Sequence, residues 1–428
     1  MSGARSSASR TLHHGARAFG HRNYRLFFAG QAISVVGTWM QQVAQGWLVL
    51  ELTNDPIYLG LVSAIAFLPV LILGLFGGLV ADALPKRQTL IATQVVQMFL
   101  AFVLFGLAVT HNVQVWHILV LAGLLGITNA VDMPTRQAFA VEMVGREDIP
   151  NAVALNSALF NAARIIGPAF AGLAIGAFGI PIAFLLNGLS FSAVIAAYWL
   201  MRQGDLHTPP RRPRPGSVRE VGRTLAEGLR YVRRTPVVLL ATVIVGIVST
   251  FGMNFGVIVP TLARDVLHTD AAGYGFLMAA TGIGSLTSAL GIAFSGRPRV
   301  ALIGIGATVL GAALIVAATI GIFWLALPVM AAIGFGAIAM AATANTTIQM
   351  AVPDELRGRV ISVYTTVFVG STPIGGLLMG GIASRFGVQA SLLVGGIACV
   401  IAGLVGVVWL RRIRADEAAA RPVRATAS

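Results

Sequence analysis

The chain of 428 residues has few charges, a single cysteine and no recognisable catalytic motif. Only 11% of its residues are charged, whereas about 25% of an average soluble protein is, so an ordinary water-facing surface is excluded. The single cysteine, Cys399, excludes an intrachain disulfide. No P-loop pattern GxxxxGK followed by Ser or Thr occurs, and neither does a zinc-ligand spacing or a nucleophile motif. We therefore expect no enzyme activity, no cofactor and no metal.

Long hydrophobic runs are abundant, since 56% of the residues are hydrophobic. A helix that crosses a bilayer needs about 20 such residues. Twelve runs are predicted to be membrane helices, called spans 1 to 12, and the fold class is all-α integral membrane. In order they are Leu26–Leu50, Ile57–Ala81, Gln88–Thr110, Val115–Val131, Ala152–Phe178, Pro181–Met201, Pro236–Pro260, Gly273–Ser295, Val300–Ile320, Phe323–Met350, Val360–Ser384 and Val388–Leu410.

A polar segment between spans 6 and 7 divides the spans into two sets of six. It contains TPPRRPRPGSVRE, whose prolines exclude a helix core, and continues in an amphipathic stretch over residues 221–234. The predicted domains are a six-helix bundle with its tail over 1–201, a cytosolic linker over 202–235, and a second six-helix bundle with its tail over 236–428.

An internal repeat supports two pseudo-symmetric bundles. At an offset of 208 residues, Gly167 and Gly172 of span 5 match Gly375 and Gly380 of span 11. Parallel halves of this kind are a recurrent architecture of membrane transporters.

The basic residues indicate the orientation. If both termini are cytoplasmic, 27 of the 30 Lys and Arg residues fall in cytosolic segments, and the other three are Arg164, Arg264 and Arg385. We therefore predict a multi-pass protein of the cell (inner) membrane, whose net charge of +14 reflects topology and contact with anionic lipid. The basic residues are not gathered on one folded domain, so no nucleic-acid partner is expected.

The short loop between spans 2 and 3 carries the motif GGLVADALPKR over residues 77–87. Its glycine, its aspartate four residues later and its basic pair stand where the major facilitator superfamily has its signature; these residues are Gly78, Asp82, Lys86 and Arg87. The chain therefore resembles this superfamily. Ala83 in place of the usual Arg, and Pro85 in place of the usual Gly, resemble the branch of enterobactin and macrolide exporters.

The resemblance extends over about residues 20–410, including SVVGTWMQQVAQGWLVLELTNDP in span 1 and DMPTRQAFAVEMVGREDIPNAVALNSALFNAARIIGPAFAG across spans 4 and 5. It implies a secondary active exporter of small amphipathic molecules, of the drug or siderophore type. Such a protein works by alternating access, with proton antiport as the expected energy source and a monomer as the default state. Two alternatives stay open: a lysolipid translocator of the same fold, and a membrane sensor or scaffold without transport.

The resemblance also implies that the loop motif is a cytosolic latch. Asp82 is expected at the N-terminus of span 11, where the helix dipole favours an anion. Lys86 and Arg87 are expected to pair with Asp132 at the end of span 4. The alternative is ordinary anchoring by positive charge on the cytosolic side.

Span 5 contains ARIIGPAFAG, which resembles the antiporter signature of the superfamily, with Ala163 and Ala171 in place of two glycines. Small residues allow close helix packing, and a proline inside a helix removes a backbone hydrogen bond. Gly167, Pro168 and Gly172 are therefore predicted to form a pivot.

Arg164 interrupts this apolar helix at a depth of roughly 18 Å from its predicted start. An arginine there costs at least about 2.5 kcal/mol unless water or a polar partner reaches it. Ser157, Asn161 and Arg164 share one helix face. They are predicted to line a central cavity and to meet a polar or anionic group of the substrate. The alternative is a structural arginine satisfied by neighbouring carbonyls.

Polar stripes on other spans are predicted to complete the cavity. Span 1 offers Gln31, Ser34, Thr38, Gln42 and Gln45 at helical spacing, and the second half offers Asn254, Thr343, Asn345 and Gln349. All 16 acidic residues lie in loops, in tails or at helix ends. The coupling candidate is therefore Asp132, at the end of span 4.

Overall fold

The computed structural model describes residues 17–207, 218–295 and 299–419, without the side chains of residues 75–83, 218–221, 224 and 417–419. Helices make up almost all of this described part, and it contains no strand. The helices of spans 1 to 6 are Arg22–Thr53, Ile57–Ala83, Lys86–Val109, Val115–Val144, Ile149–Phe178 and Pro181–Trp199. Val218–Arg234 forms an amphipathic helix, called the linker helix.

The second set of spans is less regular. Span 7 is broken into Pro236–Phe251 and Phe255–Asp265, and spans 8 to 10 are Ala271–Phe294, Ala301–Ala317 and Phe323–Ala351. Spans 11 and 12 follow each other in Asp354–Ala419, where Gly387 interrupts the helical backbone with φ 84°. Only glycine adopts such a left-handed conformation at little cost, so this residue separates the two spans.

Hydropathy alone does not identify every span. Nine helical segments of the described part have the length and hydropathy to cross a membrane, and one of them, Asp354–Asp416, holds two spans. The helix of span 9 is shorter, with 17 residues. Span 1 is not among the nine, because its glutamines lower the mean hydropathy.

The described residues form two compact units. Unit 1 contains residues 17–54, 65–207 and 270–279, and unit 2 contains residues 55–64, 218–269 and 280–419. The first turns of span 2 thus belong to unit 2, where a Cβ on Gly60 would collide with the carbonyl oxygen of Gly376. The division of the chain at the linker over 202–235 stays a prediction.

One end of unit 1 consists of residues 17–25, 84–90, 136–151 and 198–207, and we call it the charged end. An aromatic core lies inside this end. Tyr24, Phe139 and Tyr198 are almost fully buried there, and the Tyr24 hydroxyl donates to the Ala152 carbonyl oxygen at 2.9 Å. Phe139 and Met143 extend the apolar face of span 4 at a spacing of four residues. The span 4 helix therefore continues to Val144, well beyond its predicted end at Val131.

The linker helix packs within unit 2. Glu227 pairs with Arg359, and the Tyr231 hydroxyl donates to the Ala351 carbonyl oxygen at 3.1 Å. Gly228 lies so close to span 11 that a Cβ there would be 2.5 Å from the carbonyl oxygen of Arg359. Val232, one turn after Gly228, is also buried. The predicted amphipathic stretch therefore has a docked apolar face.

Candidate functional site

Neutral polar side chains line an internal cavity of unit 1, called the amide cavity, between spans 1, 3, 4 and 6. Its polar lining consists of Thr38, Gln41, Gln42, Gln45, Gln97, Asn129 and Asn187, and no charged side chain of the described ranges lines it. Three of the predicted cavity residues, Thr38, Gln42 and Gln45, are thus brought together here.

Hydrogen bonds hold the amides of this cavity in place. The Asn187 amide nitrogen donates to Gln41 Oε1 at 2.6 Å, and the Gln97 amide nitrogen donates to Asn129 Oδ1 at 3.2 Å. The volume is about 120 Å³, enough for about four water molecules at roughly 30 Å³ each. Drug-sized ligands occupy about 300 Å³ or more, so the amide cavity is sized for water or a small part of a ligand.

Arg164 lies halfway along the 30-residue helix of span 5 and is partly buried. Its Nη2 is 3.4 Å from Asn161 Oδ1, a long contact, and the Asn161 amide nitrogen donates to the Ser157 carbonyl oxygen at 2.8 Å. The Arg164 Nε is buried and has no hydrogen-bond partner among the described residues. Ser157, Asn161 and Arg164 are therefore linked along one face of the helix, as predicted from their spacing. The Arg164 guanidinium keeps N–H groups that donate no hydrogen bond to a described residue.

Span 5 packs at very short range at its predicted pivot. A Cβ on Gly167 would lie 2.5 Å from Trp39 Cβ of span 1, and a Cβ on Gly172 would lie 2.8 Å from the Cα of Ala272 at the start of span 8. Pro168 is buried inside the helix. Positions 167 and 172 admit only glycine at this spacing. That Gly167, Pro168 and Gly172 act as a pivot stays a prediction.

A buried ion pair occupies span 4 near the charged end. Asp132, with no exposed surface, pairs with Arg136 one turn further along the helix. Thr93 Oγ1 donates to Asp132 Oδ1 at 2.7 Å, and the Gln94 amide nitrogen donates to the same oxygen at 3.0 Å. The carboxylate is thus neutralised and hydrogen-bonded within the bundle, as a buried charge requires.

Arg136 connects this pair to span 1. Its Nη1 donates to Gln31 Oε1 at 3.2 Å. Gln31 therefore belongs to the ion-pair network. It does not line the amide cavity, although it belongs to the same predicted polar stripe as Thr38, Gln42 and Gln45. Gln31 Nε2 and Arg136 Nε are buried and unpaired within the described residues. Most buried polar atoms of proteins have a hydrogen-bond partner, from the protein or from ordered water.

The basic pair of the loop motif has partners other than the expected Asp132. Lys86 Nζ is 2.7 Å from Glu142 Oε1. Arg87 donates to the carbonyl oxygens of Tyr198 and Trp199 at 2.7 and 2.9 Å. The expected pairing is corrected because span 4 is longer than predicted, which places Glu142 beside Lys86 and leaves Asp132 deeper, facing Arg136. Gly78 and Asp82 lie in the helix of span 2, but their surroundings fall outside the described side chains.

The polar residues predicted in the second half lie in unit 2. Asn254 is buried at the break of span 7 and donates to the Thr250 carbonyl oxygen at 2.7 Å. Asn345 accepts a hydrogen bond from the Gln349 amide at 2.7 Å. Thr343 is buried, and its hydroxyl has no partner in the described part of the chain.

Several residues of these networks were missed by sequence analysis. Arg136 follows Asp132 by four residues, which is the spacing of an intrahelical ion pair. The pair could therefore have been predicted from the sequence. The amides Gln97, Asn129 and Asn187 lie inside apolar runs, which is the criterion that singled out the stripe on span 1. No local sequence pattern predicts Glu142 as the partner of Lys86, because 56 residues separate them.

Comparison with known proteins agrees with this architecture. A family model described as transmembrane secretion effector matches residues 16–426. The multidrug efflux pump Tap of Mycolicibacterium fortuitum is 28% identical, and the match covers 90% of this chain and 95% of that protein. The staphyloferrin A transporter of Staphylococcus aureus is 25% identical, with 89% and 94% covered.

Among solved structures, a bacterial homologue of the human lysosomal transporter Spinster superposes with a TM-score of 0.73 at 12% identity, over 92% of this chain and 98% of that one. This likeness confirms the predicted twelve-span, two-bundle fold. The relatives have membrane transport in common, so the predicted class, a transporter and not an enzyme, is also confirmed.

Proposed function

Because the chain belongs to the transmembrane secretion effectors of the major facilitator superfamily, we propose that it exports small amphipathic molecules by alternating access, driven by proton antiport. Relatives named for multidrug efflux and for a siderophore favour this substrate class. The observation that carries the proposal is Arg164, a guanidinium halfway along a membrane helix with one long contact and an unpaired Nε.

Arg164 supplies the substrate contact. A guanidinium has five N–H donors, and in the described structure only Nη2 approaches a partner, Asn161. A buried donor without a partner costs about 1–3 kcal/mol, more when it is charged. A substrate with a carboxylate, phenolate or carbonyl group recovers this cost when it binds. Ser157 and Asn161 complete the polar face, and Asn254 and Asn345 remain proposed substrate contacts.

Asp132 is the proposed proton carrier. It is fully buried and belongs to a membrane helix, which is where a transported proton needs a titratable group. Protonation would remove the negative charge that holds Arg136 and would release the guanidinium toward Gln31. The pair is thus an element with two arrangements, and proton antiport requires such an element.

The charged end of unit 1 is the proposed cytosolic side, with both termini cytoplasmic and the protein in the inner membrane. The positive-inside rule supports this orientation, because 27 of 30 Lys and Arg residues then lie in cytosolic segments. The loop motif remains the proposed latch, with Gly78, Asp82, Lys86 and Arg87. Within unit 1, Lys86 is held by Glu142 and Arg87 by the end of span 6. Gly167, Pro168 and Gly172 remain the proposed pivot.

The test is flux in proteoliposomes that contain the purified protein, with a panel of dyes, drugs and iron-free siderophores. The assay is run with and without an imposed pH gradient. We expect efflux of some members of the panel only with the gradient, and its loss in Arg164→Ala. The matched control is Arg385→Ala, which removes an exposed arginine from the end of span 11. Selective uptake of lysolipid would show the alternative translocator, and binding without flux would show a sensor.

A further inference from the structure

A second and larger cavity lies in unit 1 at the end opposite the charged end, and we call it the Trp47 pocket. Spans 1, 3 and 5 begin at the charged end, and their last turns reach this pocket. Its volume is about 520 Å³, within the range of about 300–1,000 Å³ that drug-sized ligands occupy. It is more than four times as large as the amide cavity and shares no lining residue with it.

The polar lining of the Trp47 pocket is acidic. Glu51 and Asp270 contribute two carboxylates. Among the residues that the structure describes, His111 is the single imidazole of the lining, and no Lys or Arg lines the pocket. The chain as a whole has the opposite balance, with a net charge of +14. Two carboxylates without a basic partner in a partly enclosed space favour a cation.

The apolar lining of the pocket is aromatic and aliphatic, and contacts with Tyr274 and Glu51 fix the orientation of the Trp47 ring. Trp47 is 8% exposed and stacks on Tyr274, with ring centroids 6.3 Å apart and an interplanar angle of 22°. Its indole Nε1 donates to Glu51 Oε1 at 2.8 Å, which also orients the carboxylate. Ile175 and Ile180 add aliphatic surface. An indole beside a carboxylate is a favourable environment for an organic cation, through cation–π attraction and charge.

We propose that the Trp47 pocket is a second ligand site, separate from Arg164, that binds amphipathic organic cations. The cationic centre lies between Glu51 and Asp270, and the hydrophobic body lies against Trp47 and the isoleucines. Arg164 selects a group of the opposite charge, so the two sites recognise different chemistry. The site requires no transport, and its existence does not depend on the proposed exporter function.

The structure allows the charge to be removed without loss of the local hydrogen bonds. Glu51 accepts a hydrogen bond from the Trp47 indole, and Asp270 Oδ1 accepts one from the Gly273 backbone at 3.0 Å. Glu51→Gln and Asp270→Asn keep an acceptor oxygen at each place, so both variants are expected to fold. Glu147→Gln removes an exposed carboxylate at the charged end and serves as the matched control.

The experiment measures equilibrium binding of ethidium to the purified protein in nanodiscs of neutral lipid. Each pocket variant is expected to raise the dissociation constant about three- to tenfold, with a larger effect for the double variant and at low salt. Glu147→Gln is expected to bind as the unaltered protein does. Unchanged binding in Glu51→Gln and Asp270→Asn would overturn the proposal, as would an equal loss of binding in Glu147→Gln.

A neutral probe of similar size, Nile red, separates charge recognition from simple partitioning. Its affinity is expected to be the same in the protein with and without the two carboxylates. An equal loss of affinity for Nile red and ethidium would mean that the substitutions collapse the pocket, and would also overturn the assignment to cations.

Discussion

Arg136 lies one helical turn after Asp132 in span 4 and neutralises a carboxylate that has no exposed surface. Removing only the arginine leaves a buried, unpaired charge, which costs up to about 3–5 kcal/mol for a fully buried partner and less here because Arg136 is partly exposed. We expect Arg136→Gln to lower the melting temperature of the purified protein more than the double change Asp132→Asn with Arg136→Gln. Melting is read from intrinsic fluorescence in detergent; equal losses in both proteins would mean that the pair contributes little.

A substitution at Asp132 distinguishes an effect on proton coupling from an effect on folding. Asp132→Asn keeps the acceptor oxygen for Thr93 and Gln94 but removes the titratable group. If Asp132 carries the proton, this variant loses efflux driven by a pH gradient and retains downhill exchange of substrate. The measurement is proteoliposome flux under the two conditions. Gradient-driven efflux at the unaltered rate would remove Asp132 from the coupling step.

Much of the helical plan was predictable, because hydropathy and length define most spans. The end of span 4 was not, since its last turns are polar on one side and read as a loop. Their apolar face, with Phe139 and Met143, becomes meaningful only once Tyr24 and Tyr198 are packed against it. The motif singled out Lys86 by its sequence, but its partner Glu142 is set by the tertiary fold and has no local signal.

Arg164 provides a third prediction. Arg164→Ala removes the unpaired guanidinium and its desolvation cost, so stability is expected to stay equal or to rise while efflux is lost. Arg164→Lys keeps the charge but offers three donors instead of a planar fork, and we expect transport of a narrower set of substrates. The readout combines melting temperature with efflux of the active panel members. A stabilising role alone would give the reverse pattern, with lower melting temperature and retained flux in Arg164→Ala.

Glycines of span 5 allow a matched comparison on one helix. A Cβ on Gly167 would lie 2.5 Å from Trp39 Cβ, whereas a Cβ on Gly176 would meet its nearest atom, Ala272 Cβ, at 3.9 Å. Alanine is a better helix former than glycine by about 1 kcal/mol, so Gly176→Ala is expected to be neutral or stabilising. Gly167→Ala is expected to destabilise by about 1–3 kcal/mol through overpacking. Equal melting temperatures for the two variants would mean that spans 1 and 5 separate at no cost.

The docking of the linker helix can be tested in the same way. Gly228→Ala places a methyl group 2.5 Å from the Arg359 carbonyl oxygen, while Gly222→Ala, on the same helix, meets no described atom within 4 Å. The first substitution is expected to release the helix from span 11, because a backbone carbonyl cannot move aside as a side chain does. Limited trypsin digestion after Arg230 and Arg233, both exposed at their side chains but held in the helix, should therefore accelerate in Gly228→Ala and stay unchanged in Gly222→Ala. Protection of equal strength in both variants would show that the pair of Glu227 with Arg359 holds the helix without the close contact at Gly228.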